Sequence, residues 1–141
     1  INNNFFSDKS SDAIDSTNSG TVLHVAIIAS DTQSLLLTRT VFETVGSKCS
    51  QYIRGEDFLA DYEPGKFDLV ILDIQLSDNR GLEILQTFQH QHDAPPVVIY
   101  SQSLQKDLVV KVLSAGARSY IIKPQKPNVL LQKCLSLLRG N

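Results

Sequence analysis

The chain of 141 residues contains no methionine, no tryptophan and only two cysteines. Two cysteines cannot build the disulfide framework on which small secreted domains depend. Cys49 and Cys134 both lie in apolar segments and read as buried free thiols. Long hydrophobic runs are missing too: the longest, around Val22–Ala29 and Leu69–Leu72, are strand-sized. They fall far short of the roughly 18–20 apolar residues of a membrane span. No basic segment precedes an apolar one at the N-terminus, so no signal peptide is visible and the expected location is cytoplasmic. Excess positive charge is absent as well. Thirteen Lys and Arg face 15 Asp and Glu, for a net charge of −2, which argues against direct nucleic-acid binding. A chain that starts at Ile1 and holds no methionine reads as a fragment or a processed product.

What is present suits one globular domain. The chain is 42% hydrophobic and 20% charged, and its length suffices for a core without staples. The charge is unevenly spread. Residues 1–105 hold 6 basic and 14 acidic side chains, whereas residues 106–141 hold 7 basic and a single acid, Asp107. Fourteen of the first twenty residues are Asn, Ser, Asp, Thr or Gly without apolar periodicity. Such a stretch cannot bury enough surface to offset its ordering entropy, so 1–20 reads as a disordered tail or linker and 21–141 as the folded domain.

From Thr21 onward, strand-like and helix-like patterns alternate. Val22–Ala29 is a continuous apolar run, as expected of a strand covered on both faces. In Thr32–Val45, Leu35, Leu37, Val41, Phe42 and Val45 recur near a 3.6-residue period, and Gly46 supplies a stop. Lys48–Tyr52 reads as a short strand, followed by a helix through Phe58 and Leu59 and a turn at Pro64-Gly65. Strands at Phe67–Asp73, Val97–Tyr100 and Ser119–Ile122 alternate with helices at Leu82–Gln89, Leu104–Ala115 and about Asn128–Leu138. Leu131, Leu135 and Leu138 fall on one face of the last helix. Five strands, each followed by a helix, imply a doubly wound α/β fold with a parallel sheet between two helical layers.

In such sheets functional groups gather at the carboxyl ends of the strands. The residues there are Ser30 and Asp31, Asp73, Ser101 and Lys123. A carboxylate closing a hydrophobic strand, such as Asp73, can act as a nucleophile toward phosphorus or as a metal ligand; it can also simply cap a helix. A lysine at the end of the fifth strand could pair with that carboxylate or neutralise a phosphoryl oxygen. The Lys123-Pro124 bond is a candidate cis peptide, and Ser101 offers a hydroxyl to the same mouth.

The segments FDLVILDIQLSDNRGLEIL (67–85), VVIYSQS (97–103) and LSAGARSYIIKP (113–124) resemble the receiver domain of two-component response regulators, over residues 24–139. The resemblance implies a flavodoxin-like (βα)5 sandwich with a five-stranded parallel sheet in the order 2-1-3-4-5. It implies that Asp73 accepts a phosphoryl group from a histidine kinase or phosphotransfer protein. It assigns the family's hydroxyl to Ser101, its lysine to Lys123 and its aromatic switch to Tyr120. Gly81 matches the glycine after the phosphorylation loop and Gly116 the glycine before the fifth strand. No turnover enzyme is implied. A magnesium ion is the implied cofactor, with the Asp73 carboxylate and the Gln75 backbone carbonyl among its ligands.

The sequence departs from this pattern where the metal matters most. Receivers end the first strand with two adjacent acids, and the matching positions here are Ala29-Ser30. The register rests on Val41 and Phe42 facing inward and on the distance to Gly46. Asp31, one place along, would reach the metal only through a water, and Ser77 stands where a proline is common. Loss of two carboxylates should lower magnesium affinity steeply. Two readings follow: an atypical receiver that still responds at Asp73, and a pseudo-receiver that serves as a phosphorylation-independent interaction or dimerisation module.

Two other chemistries fit less well. The hydroxyls of Ser30, Thr32 and Ser34 could cradle the phosphate of a flavin mononucleotide, but the loop has no glycine and no aromatic clamp. An aspartate-based phosphohydrolase needs an acid two residues after its nucleophile, where Gln75 stands. His90 and His92 read as solvated loop residues. Lys106, Lys111, Arg118, Lys126, Lys133 and Arg139 crowd the last two helix–strand units. They read as a solvated basic face, which the resemblance makes a surface for a homodimer or an output domain through the fourth helix, fifth strand and fifth helix.

Overall fold

A computed structural model describes residues 22–139. The polar segment read as a tail, 1–20, lies outside the described residues. The elements follow in strict alternation: β1 His24–Ile28, α1 Thr32–Glu43, β2 Lys48–Tyr52, α2 Gly55–Asp61, β3 Leu69–Leu72, α3 Gly81–Gln89, β4 Val97–Ser101, α4 Lys106–Ser114, β5 Ser119–Ile122 and α5 Pro127–Leu138. All strands are parallel, in the order β2-β1-β3-β4-β5. This is the flavodoxin-like arrangement expected from the sequence.

The continuous apolar runs have a simple cause. Alternate residues of each central strand feed opposite cores. Ala26, Ile28, Val70, Leu72, Val97 and Ile99 pack under α2, α3 and α4 with Phe58, Ile84 and Phe88. Val25, Ile27, Leu69, Ile71, Val98 and Ile121 pack under α1 and α5 with Phe42, Leu131 and Cys134. The Phe58 ring meets those of Tyr52, Tyr62, Phe67 and Phe88 at centroid distances of 5.4, 5.6, 5.8 and 6.1 Å. That cluster seats α2, whose seven residues are too few to hold a helix alone.

Several boundaries differ from the sequence reading. Helix α1 stops at Glu43, and the chain reverses at Gly46, where φ is +79°. Val45 therefore lies past the helix and is 49% exposed, and Leu37 is 45% exposed on the flank of α1. The inward residues are Leu35, Thr38, Val41 and Phe42, so Val41 and Phe42 face the core as expected. In α5 the fully inward set is Leu130, Leu131 and Cys134, with Leu135 and Leu138 at its margin. Cys134 is buried and free, whereas Cys49, also free, is only half-buried. No helix among the described residues is long and apolar enough to cross a membrane.

Candidate functional site

Parallel strands bring their carboxyl ends to one edge, and the site lies there. Asp73 follows β3 directly, and its N–H donates to the Ile28 carbonyl at 2.8 Å. Lys123 follows β5, and its N–H donates to the Ser101 carbonyl at 2.9 Å. The Lys123-Pro124 peptide is cis. These backbone bonds place two side chains from positions 50 residues apart in contact. The Lys123 ammonium donates to Asp73 Oδ2 at 2.8 Å, with side-chain exposures of only 8% and 11%. Asp73 Oδ1 accepts the Gln75 N–H at 3.0 Å. The lysine ammonium also lies 5.4 Å from the centroid of the Tyr100 ring.

A third residue joins the pair. Asp31, at the N-cap of α1, accepts from Lys123 through Oδ1 at 3.1 Å and from the Ser34 N–H through Oδ2 at 3.0 Å. Partial burial pushes its carboxyl pKa up. The Ser34 bonds and the Lys123 ammonium outweigh that and hold it below the usual carboxylate value. The carboxylate also fills the α1 N-terminus that a flavin phosphate would need. Asp31, Asp73, Gln75, Gln102, Lys123 and Tyr100 help line a cavity of about 440 Å³. Its floor continues over Leu37 and Leu130 between α1 and α5.

The loop from β3 to α3 is fixed from three directions. The Ser77 N–H donates to Ser30 Oγ at 2.9 Å. Asp78 accepts the N–H groups of Glu56, Gly55 and Arg80 at 2.9, 3.3 and 3.4 Å. Gly81 abuts the loop so closely that a Cβ there would lie 2.8 Å from the Ile74 carbonyl oxygen. Asp78 escapes the sequence reading, because its partners on α2 are 22 and 23 residues away and leave no local signature.

Ser101 is fully buried and turned along the edge, not onto Asp73. Its hydroxyl donates to Gln75 Oε1 and accepts the Ser103 N–H, both at 3.4 Å. Tyr120 is half-buried, and its hydroxyl donates to the Ser103 carbonyl at 2.9 Å. Asp73, Lys123, Gln75 and Asp31 thus form one cluster, with Ser101 and Tyr120 meeting beside it at Ser103. His90 and His92 are exposed.

Oxygen donors of the kind magnesium takes are present in Asp73 and Gln75, so the ion is chemically compatible with the pocket. The donor set does not fit a tightly held divalent cation. Ala29 offers a methyl group, the Ser30 hydroxyl is engaged by Ser77, and both nearby carboxylates already hold the same ammonium. Among the described residues no three His, Cys, Asp or Glu side chains are grouped to hold an ion.

Comparisons with known proteins agree with this architecture. Residues 25–135 match the family described as "Response regulator receiver domain". The aerobic respiration control sensor protein ArcB of Escherichia coli is 31% identical over 105 residues, 72% of this chain and 13% of that protein. The CAI-1 autoinducer sensor kinase/phosphatase CqsS of Vibrio cholerae is 27% identical over 111 residues, 76% of this chain and 16% of that protein. The chain therefore spans a small part of these relatives. Among solved structures, a CheY-like receiver domain protein from Methanospirillum hungatei superimposes with a TM-score of 0.79 at 28% identity, covering 85% of this chain and 96% of that one. The BeF3-activated DrrB receiver domain gives 0.76 at 26% identity, covering 86% of this chain and all of that one.

Proposed function

Because the chain belongs to the response regulator receiver domain family, we propose that Asp73 is its phosphoacceptor and that the domain relays a phosphoryl signal to a protein partner. The observation that carries this reading is the Asp73–Lys123 contact at the sheet edge, 2.8 Å long and almost shielded from solvent. A carboxylate oxygen of Asp73 would attack the phosphorus of a phosphohistidine on a kinase or phosphotransfer protein. The new P–O bond forms as the P–N bond breaks, and the imidazole leaves with a proton. Lys123 offsets the negative charge that gathers on the phosphoryl oxygens.

Readout would run through Ser103. Its N–H is bonded to Ser101 Oγ and its carbonyl to the Tyr120 hydroxyl. A Ser101 hydroxyl drawn toward a phosphoryl oxygen releases the first bond, and the loop held by Tyr120 then shifts. The adjoining face of α4, β5 and α5 carries exposed Val110 and Leu113 beside Lys106, Lys111 and Arg118. This face suits a second copy or an output domain.

The test is incubation with acetyl phosphate or beryllofluoride and magnesium, followed by intact mass and amide NMR, with Asp73→Asn as control. One added phosphoryl group, or shifts at Ser101 and Tyr120 that vanish in the variant, is the expected result. No response at millimolar donor and metal overturns it in favour of the second reading, a phosphorylation-independent interaction module. Ala29 and Ser30 at the end of β1 are the observation that favours that alternative.

A further inference from the structure

The pocket already contains a cation of its own. Lys123 Nζ lies 2.8 Å from Asp73 Oδ2 and 3.1 Å from Asp31 Oδ1, so one ammonium bridges two carboxylates that follow the neighbouring strands β3 and β1. Asp31 is unusually well oriented for a residue whose side chain is 53% exposed. Its backbone is extended at the N-cap of α1, and its second oxygen is tied to the Ser34 N–H. An exposed pair is worth little as an attraction, but a fixed carboxylate can direct a flexible lysine. Four rotatable bonds separate the Lys123 ammonium from its backbone, and two acceptors rather than one define where it stops.

We propose that Asp31 is a positioning residue that makes Lys123 the resident cation of this pocket, in the place where a divalent ion would otherwise bind between Asp31 and Asp73. This takes only the location of the Asp73 pocket from the phosphoacceptor reading. A divalent ion entering there must displace an ammonium with two charge-assisted hydrogen bonds. It would gain two carboxylates, well short of a full oxygen shell, because Ala29 and the engaged Ser30 supply no further charge. In the unphosphorylated domain Lys123 thereby both neutralises Asp73 and keeps the pocket closed to metal.

Manganese chloride is the probe, read by paramagnetic broadening of the amide signals of Asp31, Asp73 and Gln75. The natural sequence should show no saturable broadening at low millimolar metal. Lys123→Gln uncovers both carboxylates and should tighten manganese binding at least about tenfold. Asp31→Asn added to that variant should abolish the gain. Tight binding by the natural sequence, or a Lys123→Gln site indifferent to Asp31→Asn, overturns the proposal. A second measurement needs no change at Lys123. The 15N signal of its ammonium should be observable in the natural sequence and lost in Asp31→Asn at unchanged far-UV circular dichroism. A signal equally persistent in both overturns the positioning role. Neither readout depends on phosphorylation, so a failed phosphorylation assay leaves this inference standing, and the reverse also holds.

Discussion

Replacing Asp78 tests how the β3–α3 loop and α2 support each other. Helix α2 has seven residues, and its N-cap, Arg54, makes no side-chain capping bond. The carboxylate of Asp78, reaching over from the β3–α3 loop, accepts the Glu56 N–H at 2.9 Å and the Gly55 N–H at 3.3 Å. Asp78 is therefore a helix cap supplied through tertiary structure. The Arg80 N–H bond at 3.4 Å is near the geometric limit and adds little. One good capping bond and two long ones suggest that Asp78→Ala costs about 1–2 kcal/mol at neutral pH. Asp78→Asn, which keeps one acceptor oxygen, should fall between. The sign of the pH dependence follows from the carboxyl pKa. Partial burial pushes it up, but the N–H groups of Glu56, Gly55 and Arg80 prevail and lower it from 3.8. The stabilisation is thus complete above the unfolded value and disappears as pH falls through the lower folded value. Urea unfolding followed by far-UV circular dichroism should show the gap to Asp78→Ala at neutral pH, and the gap should close in acid. A difference below about 0.5 kcal/mol at neutral pH, or one that persists undiminished in strong acid, would refute the capping argument.

Gly81→Ala should destabilise the fold by about 1–3 kcal/mol through overpacking, less up to about 1 kcal/mol of helix propensity. The new Cβ would lie 2.8 Å from the Ile74 carbonyl oxygen, and an unchanged urea midpoint would show that this backbone yields freely. Burial pushes the Cys49 thiol up to about 11 and the Cys134 thiol up to about 12. Both should resist thiol reagents near neutral pH until urea unfolds the chain, and rapid labelling of native Cys134 would contradict its place on the buried face of α5. Burial first, then the charges of Lys48 and Lys66, lower the His24 pKa from 6.5. Stability should be complete above that value and fall as pH drops through the folded one. Unfolding midpoints of His24→Gln should lack this decline, and an identical decline in the variant would assign it elsewhere.

The order of elements and the parallel sheet were legible in the sequence because both depend on local periodicity. Strands that feed two cores must be apolar throughout, and the helices between them must show one apolar face. The runs at Val25–Ile28, Leu69–Leu72 and Val97–Tyr100 have that form, and their residues alternate between the two cores. Asp73 and Lys123 were legible too, since a polar residue one step past such a strand can only stand at the sheet edge. Tertiary structure decided the rest. Val45 looked like part of the α1 face until the turn at Gly46 carried it to the surface. The direction of the Ser101 hydroxyl depended on Gln75 and Ser103. Asp78 found its partners on α2, and Asp31 met Lys123 across 92 residues of sequence. Hydrogen bonds and ion pairs depend on distances of about 3 Å and on direction. Nothing in the spacing of residues along a chain encodes those quantities until the sheet has brought the strand ends together.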